Sequence, residues 1–327
     1  VEKILSTGGY MSLPLILADE FYKCKIINTP RLDNIFLLPY NMIKIIILTL
    51  KSLFLLKNKK VEKILSTGGY MSLPLILAGK LLKLEIFLLE PNQVLGRANR
   101  YFLSSCKKIF CYNEKIINFP KNLLNKMVII NPLVRENIYK LKSSSSIKDK
   151  FTILIVGGSQ SASIFDLSLK NSIVNISKKK PIKIIQQTNK ENVSHLKDFY
   201  SKNNIENKIF NFESNFINII KGADLCITRS GASTLAELSV INIPFIAVPL
   251  PTSKDNHQLE NANFYKENDC CWVIEQTNFE KKIEHLLSEI LTDKIDYLKK
   301  KENLKKLNYQ NTWINVNQKI LEIINEN

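Results

Sequence analysis

One continuous stretch carries the side chains whose types and spacing suit nucleotide chemistry. It runs from Ala223 to Tyr265 and contains an apolar strand pattern, a turn around Gly231 and a helix pattern. Free backbone N–H groups and the positive end of the helix dipole therefore face whatever lies above the turn, and such a place suits a diphosphate. Glu237 follows one turn into the helix, where a carboxylate can accept hydrogen bonds from a ribose diol. The pattern predicts a site for a nucleoside diphosphate.

Polar side chains later in the same stretch extend this prediction to a sugar. Asn256, His257, Gln258 and Asn261 lie at helical spacing after a proline-containing loop, and amides can read sugar hydroxyls. A structural alternative exists, because a strand, a glycine turn and a helix occur in every parallel α/β protein. The combination of turn, carboxylate and amides at strand-to-helix junctions, where doubly wound sheets bind ligands, favours a nucleotide-sugar site.

Four motifs in order resemble the peptidoglycan N-acetylglucosaminyltransferase (MurG) family. They are Ser66–Pro74 (STGGYMSLP), Glu90–Arg100 (EPNQVLGRANR), Gly157–Ala162 (GGSQSA) and the Ala223–Tyr265 stretch. The resemblance implies an α/β fold of the glycosyltransferase-B type, in which two Rossmann-like, doubly wound domains face a cleft and the C-terminal one binds most of the donor. It also implies an inverting transfer of N-acetylglucosamine from UDP-N-acetylglucosamine to the muramyl 4-hydroxyl of lipid I, which gives lipid II for peptidoglycan synthesis.

The same resemblance assigns donor contacts to individual residues. Ser159 is expected to meet the diphosphate, Arg135 to act as a nearby cation, and Asn92 to reach the donor from the first domain. Residues at the helix start are expected to hold the phosphates and ribose: Ala232, Ser233, Thr234, Leu235, Ala236 and Glu237. Gln258 is expected on the sugar, with Asn261 supporting it.

Glu90 is the predicted general base, because it comes at a strand end in the acceptor domain. The helix after Gly231 would stabilise the departing UDP. The chain also departs from the family pattern at several positions. Other residues replace family histidines at Leu89 and Gln186, a glutamine at Pro91 and a glycine at Ser161.

The N-terminus contains an exact repeat, since Val1–Ala18 is identical to Val61–Ala78. The family opens with a glycine-rich loop ending in a histidine near the acceptor, and Thr7–Ser12 of the first copy has no histidine. The second copy, which leads into the Glu90 motif, occupies the family position. The first copy can still form a strand, a glycine turn and a helix, and so can fill the first βα unit.

Three alternatives to lipid I transfer stay open at this stage. A related enzyme that glycosylates another lipid, such as diacylglycerol, would share the donor half. A sugar epimerase of the same fold would need no lipid. A UDP-sugar-binding protein with impaired catalysis would follow from the altered N-terminal loop.

Composition narrows the class of protein. The chain has 327 residues, of which 45% are hydrophobic, enough for two α/β cores. Six cysteines without a CxxC pair indicate reduced, buried thiols of a cytoplasmic protein. Three histidines and scattered carboxylates give no reason to expect a metal site, and no cofactor is predicted. The net charge of +16 is spread without interleaved aromatics, which argues against nucleic acid and favours an anionic membrane surface.

The segment Ile35–Lys60 is the strongest candidate for that membrane contact. Lys44 and Lys51 interrupt it, so each of its uncharged runs is far shorter than the roughly 20 residues of a span, and a helix lying partly on the membrane is expected. A core helix with snorkelling lysines is the structural alternative. By resemblance, the protein would lie peripherally at the cytoplasmic face of the bacterial inner membrane.

Alternating strand and helix patterns predict the domain organisation. An acceptor domain spans residues 1–140, a polar linker 141–150, and a donor domain 151–327, whose last helix would pack back onto the first domain. The predicted strands are Lys63–Ser66, Glu85–Leu89, Lys108–Tyr112, Phe151–Val156, Ile182–Ile185, Ile209–Phe212, Leu225–Thr228, Phe245–Val248 and Trp272–Ile274. Helices are predicted near Leu73–Leu82 and Arg97–Ser105.

Overall fold

A computed structural model describes residues 4–7, 22–23, 29, 37–141, 150–157, 162–213 and 216–326. The chain divides into two compact units. Unit 1 comprises Val1–Arg135 and Thr312–Asn327, and unit 2 comprises Glu136–Asn311. The polar segment 142–149, predicted as the linker, lies outside the described residues.

Unit 1 is built on a six-stranded parallel sheet with the order β2-β1-β3-β4-β5-β6. Its elements up to residue 129 are β1 (Ile4–Thr7), β2 (Tyr22–Lys23), α1 (Leu38–Asn58), β3 (Lys63–Ser66), α2 (Leu73–Leu81), β4 (Glu85–Glu90), α3 (Arg97–Arg100), β5 (Lys108–Cys111) and β6 (Met127–Ile129). Ile64, Leu88 and Phe110 are fully buried on the central strands. These strands are apolar on both faces, as expected where helices cover a parallel sheet.

Unit 2 contains a second six-stranded parallel sheet, with the order β12-β11-β10-β7-β8-β9. Its elements are α4 (Glu136–Tyr139), β7 (Phe151–Val156), α5 (Ala162–Ser168), α6 (Lys170–Ser177), β8 (Ile182–Gln187), α7 (Val193–Lys202), β9 (Glu206–Phe210), α8 (Phe216–Lys221), β10 (Leu225–Thr228), α9 (Ala232–Val240), β11 (Phe245–Ala247), α10 (His257–Glu267), β12 (Cys271–Val273), α11 (Phe279–Thr292) and α12 (Lys294–Leu307). Phe165, Tyr200 and Phe279 lie fully buried in its core. The loops after β7, β10 and β11 leave the same edge of the sheet.

The last helix, α13 (Trp313–Asn325), belongs to unit 1. The buried Lys63 donates a hydrogen bond from Nζ to the carbonyl of Ile324 at 2.7 Å, which satisfies one of the carbonyls that end the helix. Lys107 likewise donates to the carbonyl of Glu326 at 3.0 Å. A cation near a helix C-terminus is also favoured by the helix dipole.

The helix α1 buries a face of mixed polarity and exposes an apolar one. One face buries Asn41, Ile45, Thr49, Ser52 and Leu56. The opposite face, which we call the outer face, exposes Tyr40, Ile43, Ile47, Leu50 and Phe54, at the spacing of a single helical stripe. By length and composition alone, Pro39–Asn58 is long and apolar enough to cross a membrane, with 28% of it buried.

The repeated sequence forms two neighbouring strands. Strand β1 pairs in parallel with β3, with Ile4 opposite Lys63 and Thr7 opposite Ser66. The two copies therefore lie side by side, one residue out of register with the sequence repeat. The glycine loop of the first copy lies outside the described residues.

Two predicted elements have a bound that is wrong by three residues or more. Strand β9 spans Glu206–Phe210 rather than Ile209–Phe212, because its first half is polar and lies at the sheet edge, where exposed side chains are tolerated. The predicted helix Arg97–Ser105 is a single turn, α3, followed by a short 3-10 turn at Leu103–Ser105. The short edge strand β6 was not predicted.

Candidate functional site

The diphosphate site predicted from the sequence maps to the turn between β10 and α9. Gly231 is the N-cap of α9, and no side chain caps the first N–H groups of that helix. Its φ of −67° is accessible to any residue, and a Cβ added there would meet nothing nearer than Thr234 Oγ1 at 4.0 Å. Neither conformation nor internal packing requires glycine here. A bare backbone next to open space suits the close approach of a ligand to a helix N-terminus.

Gln258, in the first turn of α10, is held in one orientation beside this turn. Its Oε1 accepts hydrogen bonds from the backbone N–H groups of Ser230, at 3.2 Å, and Leu250, at 3.0 Å. Because both partners are donors, the oxygen must be the atom facing them. The Nε2 group makes no hydrogen bond within the described residues, so it remains available to donate to a ligand.

Asn261 and Ser230 lie next to Gln258 at the same turn. The buried Asn261 donates from Nδ2 to the carbonyl of Ser230 at 3.2 Å, which ties α10 to the turn before α9. Ser230 is also buried, and its Oγ has no hydrogen-bond partner in the described part of the chain. A buried hydroxyl without a partner costs free energy unless something pairs with it. Asn261 thus supports the turn, and its predicted role at the donor sugar stays a prediction.

Arg229 stabilises the same turn through hydrogen bonds to residues that follow neighbouring strands, a role that the sequence did not indicate. One guanidinium nitrogen donates to the carbonyls of Val248 at 3.1 Å and Pro249 at 3.3 Å. The other donates to Gln276 Oε1 at 2.6 Å, and the guanidinium lies 5.4 Å from the ring centre of Phe165. Burial lowers the pKa of Arg229. A single side chain therefore links the ends of three strands, β10, β11 and β12, next to the Gly231 turn.

The remaining predicted groups of unit 2 lie on α9 and before α10. Glu237 lies in α9 and is only 8% exposed. His257 has its Nδ1 2.7 Å from the carbonyl of Lys254, so Nδ1 is assigned as the donor to that oxygen. Asp255 and Asn256, just before it, both have φ of 53°. Two consecutive left-handed residues mark a strained loop, as is common at ligand sites.

A buried polar network lies under the start of α5. Asp166 accepts hydrogen bonds from Gln186 at 2.8 Å, Thr188 at 2.6 Å and Asn192 at 3.0 Å. Tyr200 donates to Gln186 Oε1 at 2.9 Å, and burial raises its pKa. Gln186 thus has a satisfied structural role. Ser159, predicted to meet the diphosphate, lies outside the described residues.

In unit 1, Glu90 lies at the end of β4 and is almost fully buried. Its Oε1 accepts hydrogen bonds from the backbone N–H of Asn92 at 3.2 Å and from Asn92 Nδ2 at 3.0 Å. Its Oε2 accepts from the N–H of Gly96 at 2.9 Å and from Asn99 Nδ2 at 2.7 Å. Burial raises the pKa of Glu90, while these donors oppose the shift by stabilising the carboxylate. The carboxylate holds the whole 90–99 loop in one shape.

The same network includes the glycine loop after β3. Asn99 Oδ1 accepts from the N–H of Gly69 at 3.2 Å, so one amide connects Glu90 to that loop. Gly68 and Gly69 have φ of 77° and 83°, a region that glycine populates freely. A Cβ at Gly68 would lie 2.3 Å from Asn99 Oδ1, whereas one at Gly69 would meet nothing within 4 Å. Asn99 was not predicted as a site residue.

Asn92 and Arg135 are the two predicted donor contacts that lie in unit 1. The side chain of Asn92 donates to Glu90, and Arg135 is exposed at the last position before unit 2. Their predicted contacts with the donor stay predictions. Within the described residues, no group of three or more histidine, cysteine, aspartate or glutamate side chains could hold a metal ion.

Comparison with known proteins gives the family. Residues 152–312 match the glycosyltransferase family 28 C-terminal domain, and residues 20–111 match the glycosyltransferase family 28 N-terminal domain. A protein of Pelagibacter ubique is 44% identical over 323 residues, which cover 98% of this chain and 90% of the relative. Its name is UDP-N-acetylglucosamine--N-acetylmuramyl-(pentapeptide) pyrophosphoryl-undecaprenol N-acetylglucosamine transferase. The chain belongs to the MurG family.

Other MurG family proteins agree with this assignment. A relative of the same name from Rickettsia canadensis is 39% identical over 259 residues, covering 77% of this chain and 72% of the relative. The crystal structure of Acinetobacter baumannii MurG superposes with a TM-score of 0.68 at 23% identity, over 93% of this chain and 84% of that one. The resemblance inferred from the four motifs is confirmed.

The structural comparisons also confirm the glycosyltransferase-B fold. UDP-GlcNAc 2-epimerase from Neisseria meningitidis superposes with a TM-score of 0.63 at 14% identity, over 95% of this chain and 86% of that one. At such identity the likeness shows the fold alone. Transferases and epimerases share this architecture, so the activity must be argued from the site.

Proposed function

We propose that the chain transfers N-acetylglucosamine from UDP-N-acetylglucosamine to the muramyl 4-hydroxyl of undecaprenyl-linked lipid I, giving lipid II. The observation that carries the donor half is the uncapped N-terminus of α9 behind Gly231, with Gln258 held beside it. The family relatives at 44% and 39% identity support the acceptor.

The residues of unit 2 fit a leaving UDP. The first N–H groups of α9, from Ala232 to Thr234, would bind the diphosphate and stabilise its growing negative charge, with Ser159 as a further predicted contact. Glu237 would accept from the ribose hydroxyls, and the fixed Nε2 of Gln258 would donate to a sugar hydroxyl. Because these hydrogen-bonding groups are already held in place before UDP-N-acetylglucosamine binds, little reorganisation is needed during transfer.

The general base is a separate proposal. Glu90 stays the predicted base, at the end of β4. Its surroundings also suit a positioning role, since both oxygens already accept two hydrogen bonds from the 90–99 loop. A Glu90→Gln protein separates the two. A base role predicts loss of turnover with a changed pH profile, whereas a positioning role predicts lowered stability of unit 1 and an unchanged profile.

UDP release tests the reaction itself. UDP should be released from UDP-N-acetylglucosamine only when a short-chain lipid I analogue is present. Gly231→Ala should fold with an unchanged melting temperature, because φ and space allow a Cβ, but should raise the KM for the donor about tenfold or more. Release without the analogue would indicate hydrolysis or epimerase-like chemistry. Donor binding without release would indicate a UDP-sugar-binding protein.

We also propose that the outer face of α1 docks on an anionic membrane, at the cytoplasmic face of the inner membrane. Its five large apolar side chains are exposed, while polar Asn41, Thr49 and Ser52 are buried, so the burial pattern favours an apolar medium outside the protein. The helix contains lysines and no acidic residue. A helix of this kind lies in the membrane interface with its apolar side chains inserted.

Vesicle binding tests the docking proposal. Serine at Ile43, Leu50 and Phe54 should weaken binding to vesicles of phosphatidylcholine and phosphatidylglycerol by about 100-fold, because three inserted side chains are lost. The matched control carries serine at Leu167, Ile295 and Tyr309 of unit 2, which are on average more exposed than the three residues of α1. Equal loss in both proteins would refute a specific role for α1.

A further inference from the structure

A cavity of about 770 Å³ lies in unit 2, beside the open edge of the sheet. Its lining comes from the edge strand β12, from the end of α10, and from α11 and α12. None of the donor-site residues around Gly231 and Gln258 lines it. We call it the β12-edge pocket. It is a second concave site in the same unit, and its volume falls in the range of small-molecule sites, about 300–1,000 Å³.

Lysines outnumber carboxylates in this pocket, whose lining holds four lysines and two acidic side chains, Asp269 and Glu289. Lys266 at the end of α10, and Lys281 and Lys282 on α11, line the pocket and form no ion pair within the described residues. A fourth lysine, Lys300, is already paired with Asp269 at 2.7 Å and Asp296 at 3.3 Å. Lysines that converge on one cavity from two helices attract an anion, and phosphate is a common ligand of such ammonium groups.

Part of the remaining wall is apolar, beside His285 and Glu289, whose Nδ1 and carboxylate oxygen lie 3.2 Å apart. The indole N–H of Trp272 donates to Asp296 at 2.9 Å, so its polar atom is used and the ring contributes apolar surface. Lys300 lies 5.0 Å from the ring centre and fixes the indole against α12. Ile274 and Leu286 continue this surface into the cavity. Inorganic phosphate gains nothing from contact with such a wall, whereas an apolar chain or ring would bury apolar surface against it.

We propose that the β12-edge pocket binds a phosphate-bearing amphiphile, with the phosphate on Lys266, Lys281 and Lys282 and the apolar part on Trp272 and Leu286. These three lysines account for the anionic group and the indole wall for the apolar group. This site is distinct from the one proposed for the donor. The shared chemistry is the phosphate, which a lipid headgroup or a free phosphate can both supply.

Tryptophan fluorescence of the full chain tests the site with two probes, decyl phosphate below its micelle concentration and inorganic pyrophosphate. Decyl phosphate should change the emission, and the change should disappear in Trp272→Phe, which leaves Trp313 of unit 1 as the other tryptophan. Glutamine at Lys266, Lys281 and Lys282 should weaken binding about tenfold or more. The matched control has glutamine at Lys190, Lys197 and Lys202, exposed lysines that do not line the pocket. Its affinity for decyl phosphate should stay within about twofold of that of the unsubstituted chain.

Each outcome decides the proposal. Tighter binding of decyl phosphate than of pyrophosphate, lost in the first triple variant only, supports the amphiphile. Equal binding of both probes, again lost only in that variant, retains the phosphate site but assigns it to free phosphate and refutes the amphiphile. Equal affinities of both triple variants for decyl phosphate, or no binding, would overturn the proposal. Because the three lysines are exposed, unchanged melting temperatures should verify that the variants fold.

Discussion

The two glycines of the STGGYMS loop offer a matched pair of perturbations. Gly68 and Gly69 both have positive φ, so alanine at either position is strained. They differ in what a Cβ would meet, since only at Gly68 would it collide with Asn99, at 2.3 Å from Oδ1. Asn99 would then have to move away from Glu90 and from the N–H of Gly69. The pair therefore separates backbone strain from loss of the buried network.

The magnitudes follow from these contacts. Alanine at Gly69 carries the strain alone, about 1–3 kcal/mol of the free energy of unfolding. Alanine at Gly68 adds a backbone strain of about 1–2 kcal/mol and also loses the 2.7 Å bond to a carboxylate and a weaker backbone bond, for a total of about 3–6 kcal/mol. In an Asn99→Ala background those bonds are already absent, so Gly68→Ala should then cost only the strain. The expected coupling is about 2–4 kcal/mol.

Urea unfolding in a Trp272→Phe background measures this coupling for unit 1 alone. The chain has two tryptophans, and the remaining one, Trp313, is buried in α13 of unit 1. Its emission therefore reports the unit that contains the loop. The same Gly68→Ala cost with and without Asn99 would refute the reasoning, as would equal costs for Gly68→Ala and Gly69→Ala.

Two further predictions concern the donor site and the thiols. Gln258→Glu keeps an acceptor for the N–H groups of Ser230 and Leu250 but removes the N–H donor, so the KM for UDP-N-acetylglucosamine should rise about tenfold or more at an unchanged melting temperature. A lowered melting temperature instead would assign Gln258 a structural role only. Burial raises the pKa of Cys106 and Cys111 to about 12, so about one thiol in ten thousand is ionised at pH 8, and iodoacetamide should label them only in denaturant, as read by mass spectrometry. Labelling of the native protein at these positions would contradict the burial described for them.

The central strands could be predicted from sequence because their environment is uniform. Strands β3, β7 and β10 were predicted with their observed ends. Each is buried along nearly its whole length. A strand covered on both faces consists mostly of consecutive apolar residues, which can be recognised in the sequence. Strand β9 lacks that signal, because a half-exposed edge accepts charged residues, and β6, although apolar, has only three residues.

The residues of the candidate site also differ in whether local sequence indicates them. Gly231 and Gln258 could be found because a turn chemistry and a helical spacing are local features of the sequence. The role of Asn99 could not, because it depends on two loops from different strands meeting at one amide. Arg229 was visible within its turn, but its partners Val248 and Gln276 come after other strands. Residues that organise a site through distant contacts leave little local pattern.

The repeated segment shows how far local sequence specifies position. The residues of β1 recur unchanged at 64–67, yet each copy has its own place in the sheet, β1 between β2 and β3, and β3 between β1 and β4. Identical residues have identical strand propensity, so propensity cannot determine which copy takes which position in the sheet. The choice must come from the distant contacts of each strand and from the segment that its chain enters next. Lys63 is buried against α13 and the second copy leads directly into β4 with Glu90, whereas the first leads towards β2 and α1. Local pattern therefore specifies a strand, and the connections specify which strand it is.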